Sequence, residues 1–192
     1  MNEERAIKLC VERRDPIGFE FLVKKYQREA YLHALAFLGD REEALEACQE
    51  SFASAFANLP RVRELAVFYP WFYRVLKNHC LNILCRRRTA ASYARTERGG
   101  EEETFSNPEE LVSGGEDRAQ VWEVLAELKL EFREILALKY IRSYDYETLA
   151  AILRIPRGTV MSRLYHARKA FQTAYLAKRE GVPKSKEVRS HE

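Results

Sequence analysis

The segment from Asp145 to Phe171 constrains this chain more than any other. Leu149, Ala150, Ile152 and Leu153, then Val160, Leu164, Ala167 and Phe171, recur at helical spacing and predict two helices with one buried stripe each. Between them Arg154-Ile-Pro156 leaves room only for a tight turn, and the second helix contains no acidic residue. A helix–turn–helix with an acid-free second helix is a shape that enters the major groove of DNA. The periodicity leaves Arg157, Met161, Ser162, Tyr165, His166 and Lys169 on one outward face.

The rest of the chain fits this reading. Its 192 residues suffice for one large or two small domains, and a hydrophobic fraction of 46% is that of an ordinary folded protein. No run of about 18 apolar residues occurs, so membrane insertion is not expected. The start, Met-Asn-Glu-Glu-Arg, lacks an apolar leader and predicts a cytoplasmic protein. Cys10, Cys48, Cys80 and Cys85 form no Cys-x-x-Cys pair, and each falls in an apolar helical pattern, as reduced core cysteines do. His79, Cys80 and Cys85 do not have zinc-finger spacing, so neither a metal nor another cofactor is expected.

The net charge of +3 hides a segregation. Arg157 to Arg179 is basic without an acid, and Arg74 to Arg98 has seven bases against Glu97 alone. Glu97 to Asp117 between them holds eight acids and one base, Arg98. Two basic patches flanking an acidic spacer suit two contact points on one polyanion.

Helical periodicity dominates, and no alternating strand pattern appears. The predicted fold is all-α: two helical domains joined by a flexible acidic linker, the second a four-helix domain ending in the helix–turn–helix. The first spans 1–90, the linker 91–118, the second 119–176 and a tail 177–192. In the first, a helix marked by Phe19, Leu22, Tyr26, Ala30 and Ala34 stops at Gly39. Asp40 caps the next, whose stripe is Leu45, Cys48, Phe52, Ala55, Phe56 and Leu59. A connector, Arg61 to Val67, leads into a third helix opening near Pro70. Phe68, Trp71 and Phe72 fall on its buried stripe, leaving Tyr69 and Tyr73 for exposure and base stacking. Ser143 and Arg154 stand in turns where glycine is common, and Arg154 is expected to tolerate that geometry at some strain.

Three passages together resemble the extracytoplasmic-function class of bacterial sigma factors. Glu43-Ala-Leu-Glu-Ala-Cys-Gln-Glu-Ser-Phe52 is similar to the family's acidic helix ending in Gln-Glu-x-Phe. Phe68 to Asn78, running on to Arg86-Arg-Arg88, is similar to its Trp-Leu-Tyr-Arg-Ile-x-x-Asn helix with a basic end. Pro156 to Ala170 is similar to its Pro-x-Gly-Thr-Val-x-Ser-Arg-Leu-x-x-Ala-Arg recognition helix. The resemblance implies a non-catalytic transcription initiation factor whose partners are bacterial RNA polymerase core, promoter DNA and an anti-sigma factor.

It also implies roles for residues. Glu43, Glu46, Gln49 and Glu50 would dock on the polymerase. Arg61, Arg63, Arg74, Lys77 and Asn78 would hold the melted minus-ten strand and a flipped base. Arg157, Met161, Ser162, Arg163, Tyr165, His166, Arg168 and Lys169 would contact the minus-thirty-five element. Within that set Ser162 and His166 suit base edges, while Arg163, Arg168 and Lys169 suit phosphates. Relatives often carry a base where Met161 stands; its side chain touches a thymine methyl but cannot read guanine. The competing reading is a helix–turn–helix regulator that does not bind core polymerase. An enzyme is disfavoured, since no nucleophile motif, His/Asp/Glu cluster or Gly-rich phosphate loop is present.

Overall fold

The computed structural model describes residues 1–62, 67–97 and 116–179. Among these every regular element is helical. The first half contains α1 (Glu3–Arg13), α2 (Pro16–Leu38), α3 (Arg41–Asn58), a 3-10 turn (Leu59–Arg61) and α4 (Phe68–Glu97). The second contains α5 (Glu116–Glu127), α6 (Leu130–Arg142), α7 (Tyr146–Leu153) and α8 (Arg157–Arg179). Helix α4 thus runs seven residues past the boundary expected at 90, and most of the acidic linker, 98–115, lies outside the described residues, as does the tail from 180 on.

Short polar side chains set the helix starts. Asn2, Asp15, Asp40 and Asp145 each accept a backbone N–H in the first turn, from Arg5, Ile17, Glu43 and Thr148, at 2.7–2.9 Å. The ends are left-handed: Gly39 at φ 69°, but also Arg14, Ser143 and Arg154 at φ 51°, 54° and 55°. The last two are the turn positions where glycine is common, and Arg154 is the one where strain was expected. A side chain in that region costs about 1–2 kcal/mol, partly offset by its stiffening of the unfolded chain. Arg154→Gly should therefore stabilise the protein by about 0.5–1 kcal/mol, read as a raised denaturant midpoint with an unchanged slope.

Helix α2 is the axis on which the rest is mounted, touching α1, α3, α4 and both α5 and α6. Gly18 lets α1 lie close against it, since a Cβ there would sit 2.6 Å from the Ala6 carbonyl oxygen. The first-half core is aromatic. Phe72 stacks on Phe52 and Phe68 at centroid distances of 4.3 and 5.3 Å, and Tyr26 stacks on Phe68 at 5.7 Å. Glu3 ties α1 to the start of α4, accepting from the Phe68 N–H at 2.9 Å and from Lys25 and Tyr26. Cys10, Cys48 and Cys80 are buried free thiols as expected, whereas Cys85 is exposed on α4.

The two halves are packed together, and the buried cluster is continuous through both. Polar contacts mark the join. Glu134 of α6, 6% exposed, accepts from the Tyr73 hydroxyl at 3.0 Å and from Lys77 at 2.5 Å. Arg142 bonds Glu29 at 2.9 Å and lies over the rings of Tyr26 and Tyr69 at 5.2 and 4.6 Å. Arg133 donates to the Phe37 carbonyl at 3.0 Å.

This join explains one departure from the sequence reading. Tyr69 and Tyr73 are 0% and 1% exposed, not available for base stacking. Their face of α4 is covered by His33 and Tyr26 of α2 and by Arg142 and Glu134 of α6.

His33 itself is fully buried, with Nδ1 2.8 Å from both the Glu29 carbonyl oxygen and the Tyr69 hydroxyl. Burial pushes its pKa down to about 4; nearby Arg142 adds to the fall and the Glu29 carbonyl opposes it. The unfolded chain, with an ordinary imidazole, takes up the proton near pH 6.5. Stability from this group is therefore present above that pH and lost as pH falls towards the folded value of about 4. The His33 ring resonances should still report a neutral imidazole at about pH 5, and a ring already charged there would contradict the burial.

Candidate nucleic-acid interface

Helices α7 and α8 build the helix–turn–helix. Leu149 and Ile152 of α7 and Val160, Leu164 and Ala167 of α8 are buried against α6 and each other. Burial of that stripe turns Arg157, Met161, Ser162, Tyr165, His166, Arg168 and Lys169 outward; Met161 and Tyr165 are 51% and 62% exposed. Large apolar groups so open to water are usual for a contact surface.

Arg163 is placed differently. Its side chain turns inward, 3.8 Å from Glu131 of α6. A phosphate contact from Arg163 would require that pairing to break. Arg157 lies 3.0 Å from Glu147 of α7, both well exposed. The Ser162 hydroxyl donates to the Thr159 carbonyl at 3.1 Å, leaving its oxygen lone pairs to accept from a base. Arg168 donates to the Tyr140 hydroxyl at 2.9 Å.

The second basic region is only partly gathered. Arg61 is exposed at the end of the 3-10 turn, and Arg63 lies outside the described residues. Arg74 and Asn78 are exposed one turn apart on α4. Lys77, expected beside them, is instead drawn to Glu134. The basic end of α4 divides as well, with Arg86 and Arg88 exposed and Arg87 turned to Glu43.

On α3, Glu46, Gln49 and Glu50 are exposed, with Glu50 3.3 Å from His79. Glu43 departs from this face: it accepts from Arg87 Nε at 2.8 Å, and Arg87 also reaches the Leu38 carbonyl at 3.1 Å. Leu45 and Phe56, expected in the buried stripe, are 50% and 42% exposed. Apolar periodicity alone did not separate them from the true inward positions Ala44, Ala47, Cys48, Phe52 and Ala55. The outer face of α3 is thus acidic with two apolar groups upon it.

Three of the four thiols offer no reactive alternative. Burial pushes Cys48 and Cys80 up to about 12, and Cys10 to about 11.

Fold and surfaces together define a helical protein of two packed halves, one bearing a helix–turn–helix and the other an acidic helix beside a basic one. Comparison with known proteins sharpens the class. Residues 22–90 match the family model for sigma-70 region 2, and residues 118–171 match that for sigma-70 region 4. The RNA polymerase sigma-H factor of Pseudomonas aeruginosa is 31% identical, the match covering 85% of this chain and 89% of the relative. The ECF RNA polymerase sigma-E factor of Escherichia coli K12 is 32% identical over 88% of this chain and 94% of its own length. The sigma factor RpoE of Bartonella quintana, solved with the anti-sigma factor NepR, shares the fold with a TM-score of 0.66 at 19% identity, covering 86% of this chain and 98% of that one. CnrH, solved with the cytosolic domain of CnrY, gives 0.67 at 19% identity, covering 92% and 99%. The chain belongs to the sigma-70 family of RNA polymerase sigma factors, in its extracytoplasmic-function class.

Proposed function

We infer that this protein is an alternative sigma factor: it binds bacterial core polymerase, recognises promoter DNA and starts transcription without catalysing a reaction itself. The observation that carries this reading is the acid-free outward face of α8, held on a helix–turn–helix, in one chain with the acidic outer face of α3. Positive potential brings α8 to DNA, while α3 carries the opposite sign and suits a basic protein surface.

On α8, Arg157, Arg168 and Lys169 serve phosphates, and Met161, Ser162, Tyr165 and His166 face base edges. Arg61, Arg74 and Asn78 serve the minus-ten strand, and Lys77 joins them when its bond to Glu134 is released. Glu46, Gln49 and Glu50, flanked by Leu45 and Phe56, form the polymerase-docking face. The similarly folded Bartonella quintana sigma factor was solved with an anti-sigma factor, and a partner of that kind is proposed here. No helix among the described residues is long and apolar enough to cross a membrane, in keeping with action in the cytoplasm beside polymerase.

The test is reconstitution: full-length chain, bacterial core enzyme and a promoter library, with transcripts read by sequencing. Start sites that share an upstream and a downstream element are the expected result; transcription no different from core alone overturns the reading. Two variants resolve roles on α8. Lys169→Ala should weaken promoter binding evenly across sequences and shallow its salt dependence by about one unit of slope. His166→Ala should change the preferred upstream sequence, seen by repeating the library selection.

A further inference from the structure

Arg168 is held in place by groups outside its own helix. It projects from α8 seven residues after Met161 and three after Tyr165, hence on the same outward side. From α6, Tyr140 reaches across, its hydroxyl accepting from Arg168 Nε at 2.9 Å and its ring centre 5.9 Å from the guanidinium carbon. That bond raises the pKa of the guanidinium, and Tyr146, from the first turn of α7, adds to the rise. Behind them Lys139 lies 5.3 Å from the centre of the Tyr146 ring and donates to the Tyr144 carbonyl at 2.8 Å, fixing the second tyrosine's surroundings. Yet Tyr140 is 63% exposed, so it is not there to fill the core.

We propose that Tyr140 is a positioning residue for DNA binding, orienting Arg168 as a phosphate clamp at the flank of the minus-thirty-five contact. The inference rests on the functional reading above. An arginine has five N–H donors; the Tyr140 bond uses the one on Nε and leaves the four on the two terminal nitrogens for a phosphate. Fixing the fork beforehand lowers the ordering cost that a free surface arginine bears on binding. The tyrosine oxygen, acting as acceptor, keeps its own O–H to donate. Tyr140 lies outside the helix–turn–helix, which is why a motif-based reading passes over it.

The experiment uses holoenzyme assembled from the full chain and core polymerase, with its affinity for a promoter fragment measured over a range of salt. Tyr140→Phe keeps the ring and removes the acceptor; it should lower affinity about fivefold, the net effect of one ordinary hydrogen bond at an exposed site. The salt slope should stay near that of the wild type, because no charge is lost. Arg168→Ala should lower affinity and shallow the slope by about 0.9. The double variant should match Arg168→Ala, since the hydroxyl has nothing left to orient. Thermal unfolding of Tyr140→Phe should be unchanged, which separates positioning from a structural role. Wild-type affinity in Tyr140→Phe, or full additivity of the two losses, overturns the proposal while leaving the sigma-factor reading intact. A wild-type complex indifferent to the upstream element overturns both.

Discussion

Replacing Glu134 with alanine is expected to cost about 2–3 kcal/mol of unfolding free energy. The carboxylate is nearly closed to water and serves two donors, the Tyr73 hydroxyl and the Lys77 ammonium. Its removal leaves the phenol buried without an acceptor and the ammonium without a counter-charge. Lys77 retains a third of its side-chain exposure, so water relieves part of the loss and the effect stays below that of a fully enclosed pair. Glu134→Gln keeps an acceptor for the phenol and should cost about half as much. Denaturant titration checks both. A midpoint unmoved by Glu134→Ala would mean that the halves are not joined in solution as they are here.

Charge reversal on α3 should have the largest functional effect. Glu46→Lys with Glu50→Lys replaces two exposed carboxylates by ammonium groups on the face assigned to polymerase docking. Setting like charges against a basic partner costs several kcal/mol, so affinity for core should fall at least about 100-fold. Neither residue is part of the core, and helicity and unfolding midpoint should hold within about 0.5 kcal/mol. Co-purification with core polymerase and circular dichroism decide the matter. Retained association would remove this face from the docking assignment.

Much of the architecture could be read from local chemistry. Asp40 caps α3, Gly39 ends α2, and Ser143 and Arg154 take left-handed turns of the kind glycine favours. These features depend on a few adjacent residues, so a linear pattern carries them. The outward set on α8 was legible for the same reason, because one buried stripe determines the opposite face.

What escaped depends on distant partners. Tyr69 and Tyr73 looked free because their cover comes from α2 and from α6, the latter more than 60 residues further along. Lys77, Glu43 and Arg163 looked available for DNA or protein, yet each faces an opposite charge on another helix, namely Glu134, Arg87 and Glu131. Leu45 and Phe56 failed in the other direction. Sequence pattern assigns apolar residues to the interior, and apolar groups left at the surface break that rule.

The seam between the halves is made partly of guanidinium groups, a carboxylate and phenols, and this governs how it can part. Each such group accepts water as a substitute, so these contacts part onto wettable ground, while the apolar cluster continuous across the halves resists parting beside them. Dissolved ions weaken the partly open Arg142–Glu29 contact while hardly touching the aromatic stack of Phe52, Phe68 and Phe72 beside it. Ionic strength and heat therefore act on different parts of one small molecule, the first loosening its waist and the second melting its rings.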